Sequence, residues 1–133
     1  MFVGCYTRKV QRGRWVRFPK DWLALLGDKR EVFIMPDSEG GKSLLIVAAD
    51  VFRKELKRMA DEESSAGGSK AIADSAVLVE IATDGRMRIP AALLSHAGIR
   101  DDVCLVGEIR KIAVTAIKPR ILQKHMATWH HTV

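Results

Sequence analysis

The sequence predicts a mainly β protein with short helices, an α+β fold in which two repeated halves share one core. Three observations carry this expectation. The first is an internal repeat without gaps. A shift of 71 residues along the 133-residue chain places Pro19 on Pro90, Leu23 on Leu94, Gly27 on Gly98, Val32 on Val103 and Ile34 on Leu105. The same shift sets Val16 on Met87, Phe18 on Ile89 and Arg17 on Arg88. A proline, a glycine and the apolar pattern between them in one register mark a duplicated unit. The second is a series of short apolar runs, separated by glycine-containing turns, as strands require. The third is size. One half has about 60 residues and few large side chains, so alone it buries too little surface for stability. The repeat therefore predicts a first half over residues 1–69 and a second over 70–133, pooled in one barrel-like core.

The elements follow in the same order in each half. A first strand alternates apolar residues, as in Val77, Val79 and Ile81. A tight turn containing Gly13 or Gly85 leads to a second strand that ends at Pro19 or Pro90. Each proline suits the first turn of a short helix, where its missing N–H is no loss. Those helices are expected over Lys20–Leu26 and Ala91–Ala97, with Gly27 and Gly98 as left-handed caps. Apolar strands follow at Val32–Met35 and Val103–Gly107, then turns at Asp37–Lys42 and Glu108–Lys111. The fourth strands are Ser43–Val47 and Ile112–Ala116. Asp50 is a fitting N-cap for a helix that carries Phe52, Leu56 and Met59 on one stripe and ends near Glu63. Ser64–Ser69, with Gly67 and Gly68, reads as a linker. The second half closes on a stripe of Ile121, Leu122, His125, Met126 and Trp129, ahead of a fraying tail. The closing stripes could pack within the subunit or against neighbours, and the sequence leaves both open.

Charge divides unevenly along this scaffold. The chain carries 22 Lys/Arg and 16 Asp/Glu, a formal net charge of +6. Residues 1–30 hold 8 basic and 2 acidic groups, whereas residues 31–133 hold 14 of each. The excess belongs to the first 30 residues, and a concentrated positive field suits a polyanion. Within it, Arg8, Lys9, Arg12, Arg14 and Arg17 surround the first turn together with Trp15. Val16 and Phe18 should face the core, which turns Trp15 and Arg17 outward beside Arg12 and Arg14. A two-stranded ribbon fits the major groove of DNA, where the arginine fork can bond guanine and lysine can pair with phosphate. Trp15 could stack on the nucleic-acid backbone or pack at a subunit contact. Arg86 and Arg88 are the corresponding candidates in the second half. The neutrality of residues 31–133 suggests one dominant binding hairpin per subunit.

Catalytic and cofactor chemistry has little footing. His125, His130 and His131 lack partners at metal-ligand spacing. Asp61, Glu62 and Glu63 read as a solvated helix end. Cys5 and Cys104 lack a recognisable base, and read as small buried hydrophobes without a disulfide framework. Gly40-Gly41 and Gly67-Gly68 match no phosphate-loop pattern. The expectation is a non-enzyme with no cofactor, no metal and no small-molecule substrate. Nothing at the start resembles a secretory signal, and no apolar stretch reaches the roughly 20 residues of a membrane span.

The same residues carry a family resemblance. Arg12-Gly13-Arg14 with Pro19, and Asp84-Gly85-Arg86 with Pro90, resemble the turn-and-proline pattern of the MraZ family, within the wider AbrB-like swapped-hairpin group. Met1-Phe2-x-Gly4 is similar to the family's start. Leu94-x-His96-Ala97-Gly98-Ile99 followed by Val103-x-Leu105-Val106-Gly107 is the most specific stretch, and Lys111 and Trp129 fit as well. That family consists of bacterial DNA-binding transcriptional regulators linked to the division and cell wall gene cluster. The resemblance implies a double-split, swapped-hairpin β-barrel. It also implies repression through upstream direct repeats, a ring-shaped homo-oligomer, and a cytoplasmic protein associated with the nucleoid. Arg14 and Arg12 become the first candidates for DNA contact. Arg14 lies five residues before Pro19 while Arg86 lies four before Pro90, a mismatch that a bulge near the first turn would reconcile. A different reading of the same chain is an oligomeric assembly or adaptor protein without specific DNA binding.

Overall fold

A computed structural model describes residues 1–37, 41–62 and 74–116. It is mainly β, with eight strands in two antiparallel sheets and three short helices. The first half supplies β1 (Cys5–Lys9), β2 (Trp15–Arg17), α1 (Lys20–Leu23), β3 (Glu31–Pro36), β4 (Leu44–Ala48) and α2 (Ala49–Glu62). The second supplies β5 (Val77–Glu80), β6 (Arg86–Arg88), α3 (Ala91–Ala97), β7 (Asp102–Gly107) and β8 (Ile112–Ala116). The expected boundary near residue 69, the linker Ser64–Ser69 and the stripe Ile121–Trp129 lie outside the described residues.

Sheet order shows how the halves combine. The larger sheet runs β1-β7-β8-β4-β3-β5, and the smaller is β2-β6. Under the repeat, β1 corresponds to β5, β7 to β3 and β8 to β4, so the larger sheet reads the same from either edge. Each half's first strand pairs with the other half's third strand: β1 with β7, and β5 with β3. The fourth strands meet in the middle, with Leu45 opposite Ala113. The second strands also pair with each other, with Val16 opposite Met87. A pseudo-two-fold axis therefore passes through both central pairs. No ladder among the described residues closes the larger sheet into a barrel.

The core obeys the same symmetry. Val16, Phe18, Trp22, Val32, Ile34, Leu44 and Ile46 pack with Met87, Ile89, Leu93, Val103, Leu105, Ile112 and Val114 in one cluster. Strand alternation sends Val32, Ile34, Leu44, Ile46, Val103, Leu105, Ile112 and Val114 to one face of the larger sheet, and the smaller sheet and the helices supply the rest. Trp22 fills the space under the first-half helix. Its ring meets Phe2, Tyr6 and Phe18 edge-on at 5.8, 5.0 and 6.0 Å, and its indole N–H donates to the Val3 carbonyl at 3.0 Å. On the opposite face, Phe52 of α2 packs against Phe33 of β3 at 4.5 Å between ring centres. Leu56 and Met59 stay half-buried beside it.

Local expectations shift by single residues. Pro19 and Pro90 are the N-caps of α1 and α3 and not their first helical residues, with ψ of 131° and 139°. The chain arrives extended from β2 or β6, and each proline carbonyl accepts the first helical N–H groups, Trp22 and Leu23 or Leu93 and Leu94. Asp50 sits inside the first turn of α2, since Ala49 already begins that helix. Gly98 caps α3 in the left-handed region (φ 65°, ψ 28°) and donates to the Leu94 and Ser95 carbonyls. The first-half helix tightens into a 3-10 turn over Ala24–Leu26, so Gly27 turns with φ 72° and ψ −155° instead of repeating that cap.

Candidate nucleic-acid interface

The two-stranded sheet positions most of the candidate arginines. Val16 and Met87, both 0% exposed, anchor its inner face, with Phe18 and Ile89 following into the core. Alternation then turns Trp15, Arg17, Arg86 and Arg88 outward. Trp15 stands opposite Arg88, and Arg17 opposite Arg86. Residues that lie 69 or more positions apart in sequence thus form a single basic ribbon. Charge counted along the chain is neutral after residue 30, but the sheet places Arg86 and Arg88 among the first-half arginines.

Two positive residues directly opposite each other destabilise a strand pair. The structure offsets this locally. Arg86 forms an ion pair with Asp84 at 2.7 Å and donates to the Gln11 side-chain carbonyl at 3.4 Å. Arg17 donates to the Asp84 backbone carbonyl at 3.0 Å, and Arg88 donates to the Gly13 carbonyl at 3.0 Å. The Arg86 guanidinium lies 5.1 Å from the centre of the Trp15 ring, and that of Arg88 lies 6.0 Å away. Trp15 is therefore held in place by cations on the ribbon itself. Hydrogen bonds from the Arg86 side chain, then from its backbone N–H, hold the Asp84 carboxyl below the usual carboxylate range. Asp84 and Gln11 join the site although neither is among the contact candidates read from the sequence. Asp84 has a signal, as the acid of an Asp-Gly turn just before an arginine. Gln11 has none.

The tips of the two hairpins correct the expected alignment. In the first, the Gln11 N–H donates to the Trp15 carbonyl and the Arg14 N–H to the Gln11 carbonyl, at 2.8 and 3.0 Å. In the second, the Ala82 N–H donates to the Arg86 carbonyl and the Gly85 N–H to the Ala82 carbonyl, both at 2.8 Å. Gln11 thus corresponds to Ala82, Arg14 to Gly85 and Trp15 to Arg86, and the shift of 71 holds through the turn. No bulge separates the two halves here. Both hairpins use a loop closed by a left-handed residue, which glycine fills without steric cost. Gly85 takes that place at φ 87°, whereas in the first tip Arg14 takes it at φ 67°, directly after Gly13 at φ 87°. The Arg14 carbonyl accepts the Ile89 N–H at 3.1 Å, and the Gly85 carbonyl accepts the Phe18 N–H at 2.9 Å. Each tip is bonded to the other half.

The remaining candidates fall in different places. Arg14 is half-buried, and its Nε donates to the Ile89 carbonyl at 3.2 Å. Arg12 is exposed at the tip. Arg8 lies on β1, over the Tyr6 ring at 5.1 Å, and donates to the Thr7 carbonyl at 3.0 Å. Lys9 is exposed on β1 directly across from Asp102 of β7. The structure therefore gathers Arg12, Arg14, Trp15, Arg17, Arg86 and Arg88 around the ribbon, and leaves Arg8 and Lys9 on the strand that leads to it.

A second surface stands apart from the ribbon. Met1, Leu25, Val51 and Ile109 are exposed apolar residues that line one depression together with Phe2. It adjoins a groove of about 640 Å³ lined by Met35, Val47, Phe52, Leu56, Met59 and Ile109. Among the described residues, no three His, Cys, Asp or Glu side chains could hold a metal ion, and no helix is long and apolar enough to cross a membrane. His125, His130 and His131 lie outside the described residues. In comparisons with known proteins, no family model and no curated protein matches this chain.

Proposed function

We propose that this protein is a sequence-specific, double-stranded-DNA-binding transcriptional regulator of the MraZ type, a repressor acting through upstream direct repeats. The observation that carries this reading is the outward face of the β2–β6 ribbon. It holds Trp15, Arg17, Arg86 and Arg88, with Arg12 and Arg14 at its end. A ribbon of this width fits a major groove, and arginine forks there can read guanine while neighbouring arginines engage phosphate. The reciprocal pairing of first and third strands supports reading the fold as a swapped-hairpin split barrel. The exposed apolar patch around Met1, Leu25, Val51 and Ile109 supports self-assembly into a ring, since contiguous apolar surface marks association sites. A ring would place several ribbons on repeated sites and raise affinity through effective concentration. Such a protein would reside in the cytoplasm on the nucleoid and act without enzymatic activity or a cofactor.

The test is genome-wide mapping of bound DNA, paired with binding to the enriched repeats as salt is varied. Enrichment at upstream repeats, with affinity falling steeply as salt rises, is expected. Absence of any enrichment would overturn the regulator reading. The apolar patch also favours a second reading, an assembly or adaptor protein without an operator. That reading predicts oligomers in solution and no sequence preference even at low salt.

A further inference from the structure

Cys5 and Cys104 are 99 positions apart in sequence, yet their sulfur atoms lie 3.1 Å apart. Cys5 opens β1 opposite Val106, and Cys104 stands in β7 opposite Thr7, so the two thiols are diagonal neighbours across one ladder. Their side chains lie on the face away from the main core, in a small cluster with Val106 and Ala113. Cys104 is 2% exposed, while Cys5 is half-buried. In the sequence each reads as an isolated small hydrophobe. The sheet instead joins them across the two halves.

We propose that Cys5 and Cys104 form a redox pair, in which a peroxide converts the two thiols to an intramolecular disulfide that pins β1 to the second half. Cys5 is the entry point because solvent reaches it. Burial, reinforced by the hydrogen bond with Cys5, pushes the Cys104 thiol up to about 12, so Cys104 stays protonated and takes the second role. In the first step Cys5 loses its proton and its sulfur attacks one peroxide oxygen. The O–O bond breaks, and the departing hydroxide takes up a proton to become water. Cys5 is now a sulfenic acid. In the second step the Cys104 sulfur attacks the Cys5 sulfur and the S–O bond breaks. The hydroxyl leaves with the Cys104 proton as a second water. Two thiols are oxidised by two electrons and one peroxide is reduced. The sulfur atoms need to approach by only about 1 Å to reach bonding distance.

The consequence falls on the basic ribbon. β1 is the edge of the larger sheet, and it leads directly to the hairpin that carries Arg12, Arg14 and Trp15. A bond to β7 removes the freedom of that edge to peel away. This inference does not depend on the proposed function, since it concerns only the two thiols.

The experiment treats the whole protein with hydrogen peroxide at mildly alkaline pH and follows thiol count, mass and mobility. Expected is the joint loss of both thiols, a mass lower by about 2 Da, single-chain mobility without reductant and reversal by dithiothreitol. Peptide mapping should find Cys5 joined to Cys104, and Tm should rise by roughly 10 °C. Cys5→Ser should leave Cys104 unreactive in the folded protein. Cys104→Ala should leave Cys5 as a sulfenic acid that dimedone traps. Disulfides between chains, sulfinic or sulfonic acids without a cross-link, or thiols that react only after unfolding would each overturn the proposal.

Discussion

Replacing Arg14 by glycine and by alanine separates its backbone role from its guanidinium. Arg14 holds φ 67°, the place that Gly85 fills in the other half. A residue with a Cβ is strained there by roughly 1–2 kcal/mol. Glycine escapes that strain but loses about 0.5–1 kcal/mol more chain entropy on folding. Both substitutions also remove the hydrogen bond from Nε to the Ile89 carbonyl at 3.2 Å. A bond of this kind contributes about 1 kcal/mol net. Arg14→Ala keeps the strain and loses the bond, so it should cost about 1 kcal/mol. Arg14→Gly loses the bond but sheds the strain, so it should lie within about 0.5 kcal/mol of the parent protein. Glycine should therefore be the more stable of the two, the reverse of the order in a strand or helix interior. Urea denaturation with equal slopes measures this directly. On the proposed function, both variants should lose DNA affinity to a similar extent, since neither has the guanidinium. An alanine variant as stable as the glycine variant would refute the left-handed assignment at Arg14. Unchanged operator affinity in both would refute its contact with DNA.

Three further outcomes follow from other parts of the molecule. Replacing Arg86 and Arg88 together by alanine should lower the slope of log affinity against log salt by about 1.8, at roughly 0.9 for each phosphate no longer neutralised; an unchanged slope would place the second half away from the DNA. Gly107→Ala would put a Cβ 2.6 Å from the Phe2 backbone, forcing that segment away. Three backbone bonds hold it, Phe2 to Ile109 at 2.8 Å, Ile109 to Phe2 at 2.9 Å and Gly107 to Gly4 at 2.8 Å. Breaking them should cost about 3 kcal/mol in thermal denaturation, against about 1 kcal/mol for Gly98→Ala, and equal costs would contradict the close approach. Under reducing conditions, stability should fall as pH rises from 9.0 towards about 12, because the unfolded chain releases the Cys104 proton at its ordinary value of 9.0 while the folded chain retains it. Below that window the thiol is protonated in both states and contributes no pH dependence. Stability measured against pH should be flatter for Cys104→Ala.

Local chemistry was legible in the sequence where neighbours decide it. Pro19 and Pro90 announce helix starts because a proline needs no N–H there, and Gly98 announces a stop because it accepts the left-handed backbone. The alternation of Val16 and Phe18 assigned them to the core, and both are at most 1% exposed. The register of 71 was also readable, since it compares like with like along one chain. It proved a better guide to the turn than the match between Gly13 and Gly85. Gly13 shares the positive φ of Gly85, at 87°, but the hydrogen bonds of the loop align Arg14 with Gly85, and Arg14 occupies its left-handed position at some cost.

Pairing between distant strands is a different kind of information. Any amphipathic strand can complete the edge of another, so nothing in β1 alone states that it joins β7 and not its own half. The choice comes from burying both sets of apolar residues about one axis, with Val16 on Met87 and Leu45 beside Ala113. That single choice brings Arg86 and Arg88 to Trp15, and Cys5 to Cys104. By itself the sequence determined the duplicated elements, their order and the basic turn. Only the tertiary structure decided which side chains meet, because strand pairing is set by the whole core and not by the residues that it brings together.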